Sequence, residues 1–275
     1  MARSKRLDLR ARLRVAPGTT VDLGAFDPGA TFGASKAGSA AELRTGIERL
    51  TSLQDRLWAE SRHPVLVVLQ GIDAAGKDGT VRHVMSAFNP QGCTVTPFKV
   101  PVGPEVTHDY LWRIHARTPG RGEVAIFNRS HYEDVLVVRV HGLVPRETWS
   151  RRYRQINDWE RMLVEEGTTI VKFFLVIDRD EQRTRLQDRL DDPTKRWKFR
   201  LGDLAERKLW ADYQAAFEEA LSRCSTEWAP WYLIPANHNW FRNLAVAQIL
   251  GDALEDLRPT YPPIEEALPP DLRIE

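Results

Sequence analysis

The feature that most constrains this chain is a short apolar run that stops at a glycine-rich segment containing a lysine. Residues 65–70 read VLVVLQ, without alternation of polar and apolar side chains. Such a run is typical of a strand buried on both faces, as in a parallel sheet covered by helices. Residues 71–80 follow directly and read GIDAAGKDGT. We therefore expect a buried strand, a glycine turn and the start of a helix.

The glycine segment has the GxxxxGK spacing of a Walker A loop. Its glycines let successive backbone N–H groups point inward as an anion nest, and the following helix contributes the positive end of its dipole. Lys77 adds a mobile positive charge for phosphate oxygens. The alternative is an ordinary strand-to-helix turn. The other loop residues predicted to contact phosphate or nucleotide are Gly71, Ala74, Ala75, Gly76, Asp78, Gly79 and Thr80.

Two carboxylates set this loop apart. Asp78 follows Lys77, at the position where P-loop NTPases use Ser or Thr to hold Mg²⁺. A carboxylate inside a phosphate cradle repels the ligand unless a cation intervenes. Asp73 is therefore predicted to be catalytic and to face a hydrated Mg²⁺ that bridges to the phosphates, with Mn²⁺ as a substitute. The alternative is that Asp73 only caps a turn or helix.

A second polar group follows the predicted strand EVAIFN at residues 123–128. Ligands of doubly wound folds lie at the carboxyl ends of strands, so this group is expected near the loop. Asn128 is predicted to orient a metal-bound water or a phosphate, and Arg129 to pair with phosphate. Glu133 is a further candidate for substrate contact, and Asp134 for the metal. The alternative is a capped helix start with surface charges.

A basic segment forms the third feature, because residues 195–200 (KRWKFR) carry four basic side chains. Such a segment could close over phosphates as a lid and neutralise charge in the transition state. The alternative is a solvated basic helix end. The predicted phosphate-binding side chains from the lid are Lys195, Arg196 and Lys198, and those from the chain before Asn128 are Lys99, Arg113 and Arg117.

The remaining pattern alternates apolar runs with helical stretches, which predicts an α/β fold with a central parallel sheet and helices on both faces. Further strands are predicted at 170–177 and 231–235, and helices at 80–88, 146–165, 181–190, 204–223 and 240–257. A capping box at Ser39 predicts the start of the first helix. The predicted parts are an N-terminal arm (1–38), a P-loop domain (39–258) with a lid at about 191–203, and an irregular tail (259–275).

Composition excludes several classes of protein. The net charge is +1, so any polyanion site needs local clustering of Lys and Arg, and a non-enzymatic nucleic-acid binder is disfavoured. No apolar run approaches the roughly 18 residues of a membrane span. Cys93 and Cys224 fit no CxxC pattern, which indicates reduced thiols and a cytoplasmic protein.

Five stretches occur in the order and spacing of one family, over roughly residues 40–258. They are GIDAAGKDGTVRHV, TPFKVPVGPEVTHDYLWRIH, GEVAIFNRSHYEDVLV, RLDDPTKRWKF and PWYLIPANHNWFRNLAV. Together they resemble the polyphosphate kinase 2 family. Lys77 and Asp73 match its P-loop lysine and metal-side aspartate, Arg129 matches the arginine of its Walker B-like motif, and the segment 195–198 matches its lid. Asn128 stands where many members have Asp, similar to the subgroup that accepts both AMP and ADP.

The resemblance implies a three-layer sandwich similar to thymidylate kinase with a helical lid, Mg²⁺ dependence, a basic channel for polyphosphate and a homo-oligomer, either a dimer or a tetramer. The implied activity is phosphate transfer between inorganic polyphosphate and nucleoside mono- or diphosphates. Adenine nucleotides are favoured, with guanine nucleotides as a further option. The nearest alternative is an ATP-dependent kinase of a nucleotide or small metabolite.

Overall fold

The computed structural model describes residues 7–264 and 272–274. Its helices and strands follow one another in the order α1 (Leu9–Leu13), α2 (Lys36–Glu60), β1 (Val65–Gln70), α3 (Lys77–His83), β2 (Cys93–Pro97), α4 (Trp112–His115), β3 (Val124–Asn128), α5 (Val137–Val140), α6 (Arg146–Glu165), β4 (Thr169–Val176), α7 (Arg179–Asp191), α8 (Leu201–Lys208), α9 (Trp210–Cys224), β5 (Trp231–Pro235) and α10 (Asn239–Asp256). Short 3-10 turns include His131–Asp134 and Arg196–Lys198.

The five strands form one parallel sheet in the order β2-β3-β1-β4-β5. All six residues of the central strand β1 are buried, as its unbroken apolar pattern predicts. Leu69 lies opposite Asn128 of β3, and Gln70 lies opposite Phe174 of β4. The loop that follows β1 therefore emerges between the carboxyl ends of two neighbouring strands.

Helices cover both faces of the sheet, which confirms the predicted α/β fold. Val65, Val67 and Leu69 belong to the apolar cluster on the side of α2 and α10. Leu66 and Val68 point the other way, into the cluster on the side of α6 and α9. Because successive strand side chains alternate between faces, one apolar strand supplies both cores. The result is a three-layer sandwich with the parallel sheet between two layers of helices.

The edge strand β2 has no counterpart in the sequence pattern. Its residues read CTVTP, and Thr94, Val95 and Pro97 are exposed. An edge strand pairs on one side only, so it does not need the continuous apolar run that marks β1. The predicted helix at 204–223 is also different, since α8 and α9 are separate helices that meet at Leu209.

The start of α2 was predicted at Ser39, and this is wrong. Ser35 is the N-cap, and its side chain accepts a hydrogen bond from the backbone N–H of Gly38. Ser39 lies inside the helix, where its hydroxyl donates to the carbonyl of Ser35 at 2.7 Å. Two serines four residues apart offer two possible starts, and the earlier one satisfies the free N–H groups of the first turn.

The segment predicted as an extended arm contains the helix α1, whose Leu9 and Leu13 are buried. Arg14 forms an antiparallel bridge with Tyr232 of β5, so this part of the chain packs on the domain. Residues 259–264 contain no helix or strand, in line with an irregular tail. Residues 1–6, 265–271 and 275 of the predicted arm and tail lie outside the described residues. Across the described ranges, every helix is too short or too polar to cross a membrane.

Candidate active site

The loop after β1 has a backbone that only particular residues allow. Gly71 has φ +149°, and a Cβ there would lie 2.7 Å from the carbonyl oxygen of Leu175. Gly76 has φ +105° and is the N-cap of α3, while Ala74 has φ 65°. These left-handed residues give the chain the turns that an anion nest requires. The predicted phosphate-binding loop thus has a suitable shape at the middle of the sheet.

Lys77 lies inside this loop. Its Nζ donates to the carbonyl oxygens of Gly71 at 2.6 Å and of Ile72 at 3.1 Å, and the residue is 8% exposed. Burial, together with repulsion from Arg129, lowers the pKa of Lys77 to about 8. The ammonium is therefore held at the loop by weak neutral acceptors, and an arriving phosphate would be a stronger partner.

Three side chains on one face of helix α7 form hydrogen bonds with the loop. Arg189 contacts the carboxylate of Asp73 at 2.9 Å, and the amide of Gln182 donates to the Asp73 carbonyl at 3.1 Å. Arg185 donates to the carbonyls of Ala74 and Ala75, both at 3.0 Å. The spacing of three and four residues places 182, 185 and 189 on one helical face, which is the signal that could have identified them from sequence.

Asp73 is ionised in this environment. Burial raises the pKa of its carboxyl, but Arg189 and Lys77 and a backbone hydrogen bond from Ala74 more than offset this, so the pKa lies below its ordinary value. The side chain is 36% exposed. Asp73 thus presents a negative charge on the solvent side of the loop.

The carboxyl end of β3 lies beside the loop, as predicted. The amide of Asn128 donates to Asp78 Oδ1 at 2.9 Å, which ties β3 to the first turn of α3. Arg129 has φ 64°, and its backbone N–H donates to the Leu69 carbonyl at 3.1 Å. Its guanidinium lies 3.5 Å from Glu133, and this carboxylate raises the pKa of Arg129. The polar residues predicted at the end of this strand therefore lie beside the loop.

The lid also reaches the loop. Lys198 Nζ lies 3.8 Å from Asp78 Oδ2, while Lys195 pairs with Asp192 at 2.6 Å. Arg196 donates to the Leu190 carbonyl at 2.9 Å. Trp197, between these bases, is 76% exposed. Of the three predicted lid bases, Lys198 is the one that contacts the loop in this structure.

Other predicted site residues make contacts within the fold. Thr80 is fully buried, and its hydroxyl donates to the Gly76 carbonyl at 3.2 Å. Arg113 is 7% exposed and donates to the Lys99 carbonyl at 2.7 Å, with Glu105 at 3.3 Å. Its guanidinium thus holds the chain after β2 in place. The side chains of Lys99 and Arg117 are exposed.

Asp134 lies on the inner side of the turn after β3. Its Oδ1 accepts from Arg152 at 2.9 Å, and the same guanidinium donates to the Asp134 carbonyl at 3.0 Å. Burial raises the pKa of Asp134 to about 6, although Arg152 and Arg113 act in the opposite direction. Asp134 is thus paired with Arg152 in this structure, and its role as a metal ligand stays a prediction.

A buried network, which the sequence pattern does not reveal, anchors the same turn. Lys172 of β4 donates to Glu160 at 2.6 Å, to the hydroxyl of Tyr132 at 2.8 Å and to the Cys224 carbonyl at 2.7 Å. Glu160 also accepts from Tyr132 at 2.8 Å and lies 3.1 Å from His131 Nε2. These side chains fix the 3-10 turn that directly follows the left-handed Arg129.

The donors around the loop suit one magnesium ion held jointly with substrate. Mg²⁺ is usually bound by one or two carboxylates together with phosphate oxygens and water. Asp73 is anionic and partly exposed, and Asp78 is 72% exposed on the next turn. Among residues 7–264 and 272–274, no group of three or more His, Cys, Asp or Glu forms a complete metal site. This donor set fits an ion that needs phosphate to complete its shell.

The class of protein follows from the fold and the site. The site is a glycine loop with a central lysine at the middle strand of a parallel sheet, and Arg129, Arg189 and Lys198 lie around it. The protein is a phosphotransferase with a P-loop kinase-like fold. A family model described as Polyphosphate kinase 2 (PPK2) matches residues 33–261. The chain belongs to the polyphosphate kinase 2 family.

Individual relatives agree with the family. The chain is 55% identical to an AMP/ADP-polyphosphate phosphotransferase of Meiothermus ruber over 258 residues, which cover 93% of this chain and 97% of the relative. It is 46% identical to an ADP-polyphosphate phosphotransferase of Rhodopseudomonas palustris over 267 residues, 91% of each chain. The crystal structure of polyphosphate kinase 2 from Arthrobacter aurescens TC1 superposes with a TM-score of 0.92 at 44% identity, covering 97% of this chain and 96% of that one.

Proposed function

We propose that this protein transfers a phosphoryl group between inorganic polyphosphate and AMP or ADP in a magnesium-dependent, in-line reaction. The observation that carries the proposal is the ring of cations around the loop. Lys77, Arg129, Arg189 and Lys198 converge there although the chain as a whole carries a net charge of only +1. Membership of the polyphosphate kinase 2 family supports the choice of donor.

Catalysis would rest on positioning and charge neutralisation, because a transferring phosphoryl group needs little covalent help. Lys77 would exchange its two carbonyl acceptors for phosphate oxygens. Arg129 and the lid bases would stabilise the negative charge on the transferred group. Asp73 would hold the magnesium ion, which supplies further neutralisation between neighbouring phosphates. The acceptor phosphate is already ionised at neutral pH, so the reaction does not depend on a general base.

The proposal about the acceptor nucleotide rests on Asn128 at the end of β3. Asn128 donates to Asp78 and adds no charge beside the loop. A neutral side chain at this position repels a nucleotide phosphate less than a carboxylate would. The Meiothermus ruber relative is named for both AMP and ADP. We therefore propose that both adenine nucleotides are accepted here, and guanine nucleotides are a further option to be assayed.

The deciding experiment compares two donors. AMP is incubated with Mg²⁺ and either polyphosphate or ATP, ADP is incubated with Mg²⁺ and polyphosphate, and the nucleotide products are separated and quantified. We expect ADP and ATP to form with polyphosphate as the donor. Phosphorylation with ATP alone and indifference to polyphosphate would instead establish the alternative, an ATP-dependent kinase. Replacing Mg²⁺ by Mn²⁺ or by EDTA tests the metal requirement in the same assay.

Two further parts of the proposal concern the whole protein. We propose a homo-oligomer, because Val100, Val102 and Val106 are exposed to between 67% and 81% within one short segment, and clustered exposed apolar side chains are typical of contact surfaces. Light scattering after size exclusion would give the mass. We also propose a cytoplasmic location, which the free thiols of Cys93 and Cys224 support.

A further inference from the structure

Arg242, in the first turn of α10, lies directly beneath the phosphate loop. The residue is 2% exposed. A Cβ built on Gly76 would lie 1.9 Å from its Nη1, and one built on Gly79 would lie 2.9 Å from its Nη2. The guanidinium therefore occupies the space that these two glycines leave free. Gly79 has no positive φ, and a larger residue there would displace this guanidinium from its present position.

The hydrogen-bond partners of Arg242 are neutral. Nη1 donates to Asn239 Oδ1 at 2.6 Å, and Nε and Nη2 donate to Asn243 Oδ1 at 3.2 and 2.9 Å. Within the described residues no carboxylate forms an ion pair with Arg242, whereas the buried Arg113 and the half-buried Arg152 are paired with Glu105 and Asp134. A buried charge without a counter-charge is costly and rare.

The electrostatics of the surroundings increase this cost. Burial, and then repulsion from Arg185, lower the pKa of Arg242 to about 10. Arg185 itself contacts the carbonyls of Ala74 and Ala75, but it is paired with Glu181 at 2.7 Å, so its own charge is compensated. Without an anion at the loop, the buried charge of Arg242 has no carboxylate partner among the described residues.

We propose that Arg242 is a positioning residue for the phosphoryl site, whose charge is held against the floor of the loop by Asn239 and Asn243 and is neutralised by phosphate bound on the opposite side. It acts through the backbone of Gly76 and Gly79 and does not touch the substrate. The inference rests on the proposed function, since it needs phosphate at this loop. A charge in a low-dielectric interior is weakly screened, so it attracts an anion across one layer of backbone.

The test uses two substitutions, Arg242→Gln and Arg242→Lys, with sodium tripolyphosphate as the probe in the presence of Mg²⁺. Calorimetry gives the affinity, and thermal melting is recorded with and without the probe. For Arg242→Gln we expect affinity to fall about 10- to 50-fold while the melting temperature without tripolyphosphate stays the same or rises. Arg242→Lys keeps the charge and should retain most of the affinity. A purely structural role would lower the melting temperature instead.

Arg49→Gln is a matched control. Arg49 also packs against a glycine of α10, since a Cβ on Gly251 would lie 2.9 Å from its Nη1, but it is paired with Asp252 at 2.8 Å and with Glu255. We expect this variant to leave tripolyphosphate affinity unchanged.

Three results would overturn the inference: unchanged affinity in Arg242→Gln, equal losses in Arg242→Gln and Arg242→Lys, or failure of both variants to fold. If the wild type does not bind tripolyphosphate, or binds it as well after Lys77→Ala, the proposed function fails as well. Failure of the inference alone can therefore be told apart from failure of the proposed function, because the wild type would still bind tripolyphosphate tightly and through Lys77.

Discussion

At the scale of single residues, Lys77 shows how the fold prepares a charge for a ligand. A buried ammonium that bonds only to two carbonyls is less stable than one in water, which is why its pKa is lowered to about 8. Asp73, Asp78 and Glu133 act in the opposite direction and keep it from falling further. The residue is thus charged at neutral pH and lacks a tight partner.

Lys77→Ala should reduce the rate of phosphate transfer by at least about a thousandfold, since it removes a charge placed at the transferring group. Folding should be preserved, because the lost side chain bonds only to carbonyls of its own loop. The measurements are the initial rate with polyphosphate and the thermal melting curve. Retained activity with polyphosphate would contradict the assignment of the loop.

The affinity for tripolyphosphate should depend on pH through Lys77. Bound phosphate favours the charged form of Lys77. Above about pH 8 the free protein begins to lose this proton, so binding then requires proton uptake. Affinity should therefore fall as pH rises through about 8, by up to about tenfold per unit. In the unfolded chain the pKa is 10.5, so the ligand-free protein should gain stability over the same range. Titration calorimetry between pH 7 and 9.5 measures the effect.

Lys77→Arg is the control for this pH dependence, because an arginine stays charged throughout the range. Tripolyphosphate also titrates in this range, so the contribution of Lys77 is the difference between the two proteins, and the variant should lack the fall in affinity above pH 8. The same slope in wild type and Lys77→Arg would assign the titration to another group.

At the scale of elements, the turn His131–Asp134 is held by an ion pair in the core. Lys172 and Glu160 are both fully buried and belong to β4 and α6. Breaking a buried pair leaves one charge without compensation, whereas replacing both partners by apolar groups removes the problem. The pair thus fixes the backbone that presents Arg129 and Glu133 to the loop.

Lys172→Met should lower the free energy of unfolding by about 3–5 kcal/mol, because Glu160 would be left without its cation. The double variant Lys172→Met with Glu160→Leu should recover much of this loss. Urea denaturation measures both. Asp158→Ala removes an exposed ion pair with Arg161 from the same helix and should cost about 1 kcal/mol or less. A double variant as unstable as the single one would show that the pair is not the cause.

Closure of the lid should be measurable through the fluorescence of Trp197. The side chain is 76% exposed, with Lys198 Nζ 5.2 Å from its ring centre, and the neighbouring bases are expected to bind phosphate. If the lid closes on substrate, the tryptophan loses water and its fluorescence shifts to shorter wavelength. Addition of AMP and tripolyphosphate should therefore cause a shift in the wild type that Trp197→Phe lacks. An equal shift in both proteins would place the change at another tryptophan.

At the scale of the whole molecule, the charge is nearly balanced and the basic groups are local. Long-range attraction of a polyanion is therefore weak, and binding should depend on direct contacts at the site. Polyphosphate affinity should fall steeply with salt, because binding releases counterions from the chain of phosphates. A log–log plot of affinity against salt measures the slope, which should be smaller after Lys195→Ala and Lys198→Ala. A flat plot in the wild type would contradict a site that contacts several phosphates.

The sequence predicted those parts of the molecule that carry a local signal. The strands β1, β3, β4 and β5 were recognisable because a central parallel strand must be apolar on both faces. The loop was recognisable because its backbone requires glycine at fixed positions. The edge strand β2 escaped because it is half exposed, and the start of α2 was misplaced because Ser35 and Ser39 are both plausible caps.

What the sequence by itself determined is the sheet, the glycine loop after β1 and the order of the motifs, since each depends on residues close together in the chain. Only the tertiary structure decided the partners of the charges. Asp73 meets Arg189 across a separation of 116 residues, and Arg242 reaches the loop from the last helix. Electrostatic energy depends on distance and burial in space, and neither can be read from spacing along the chain.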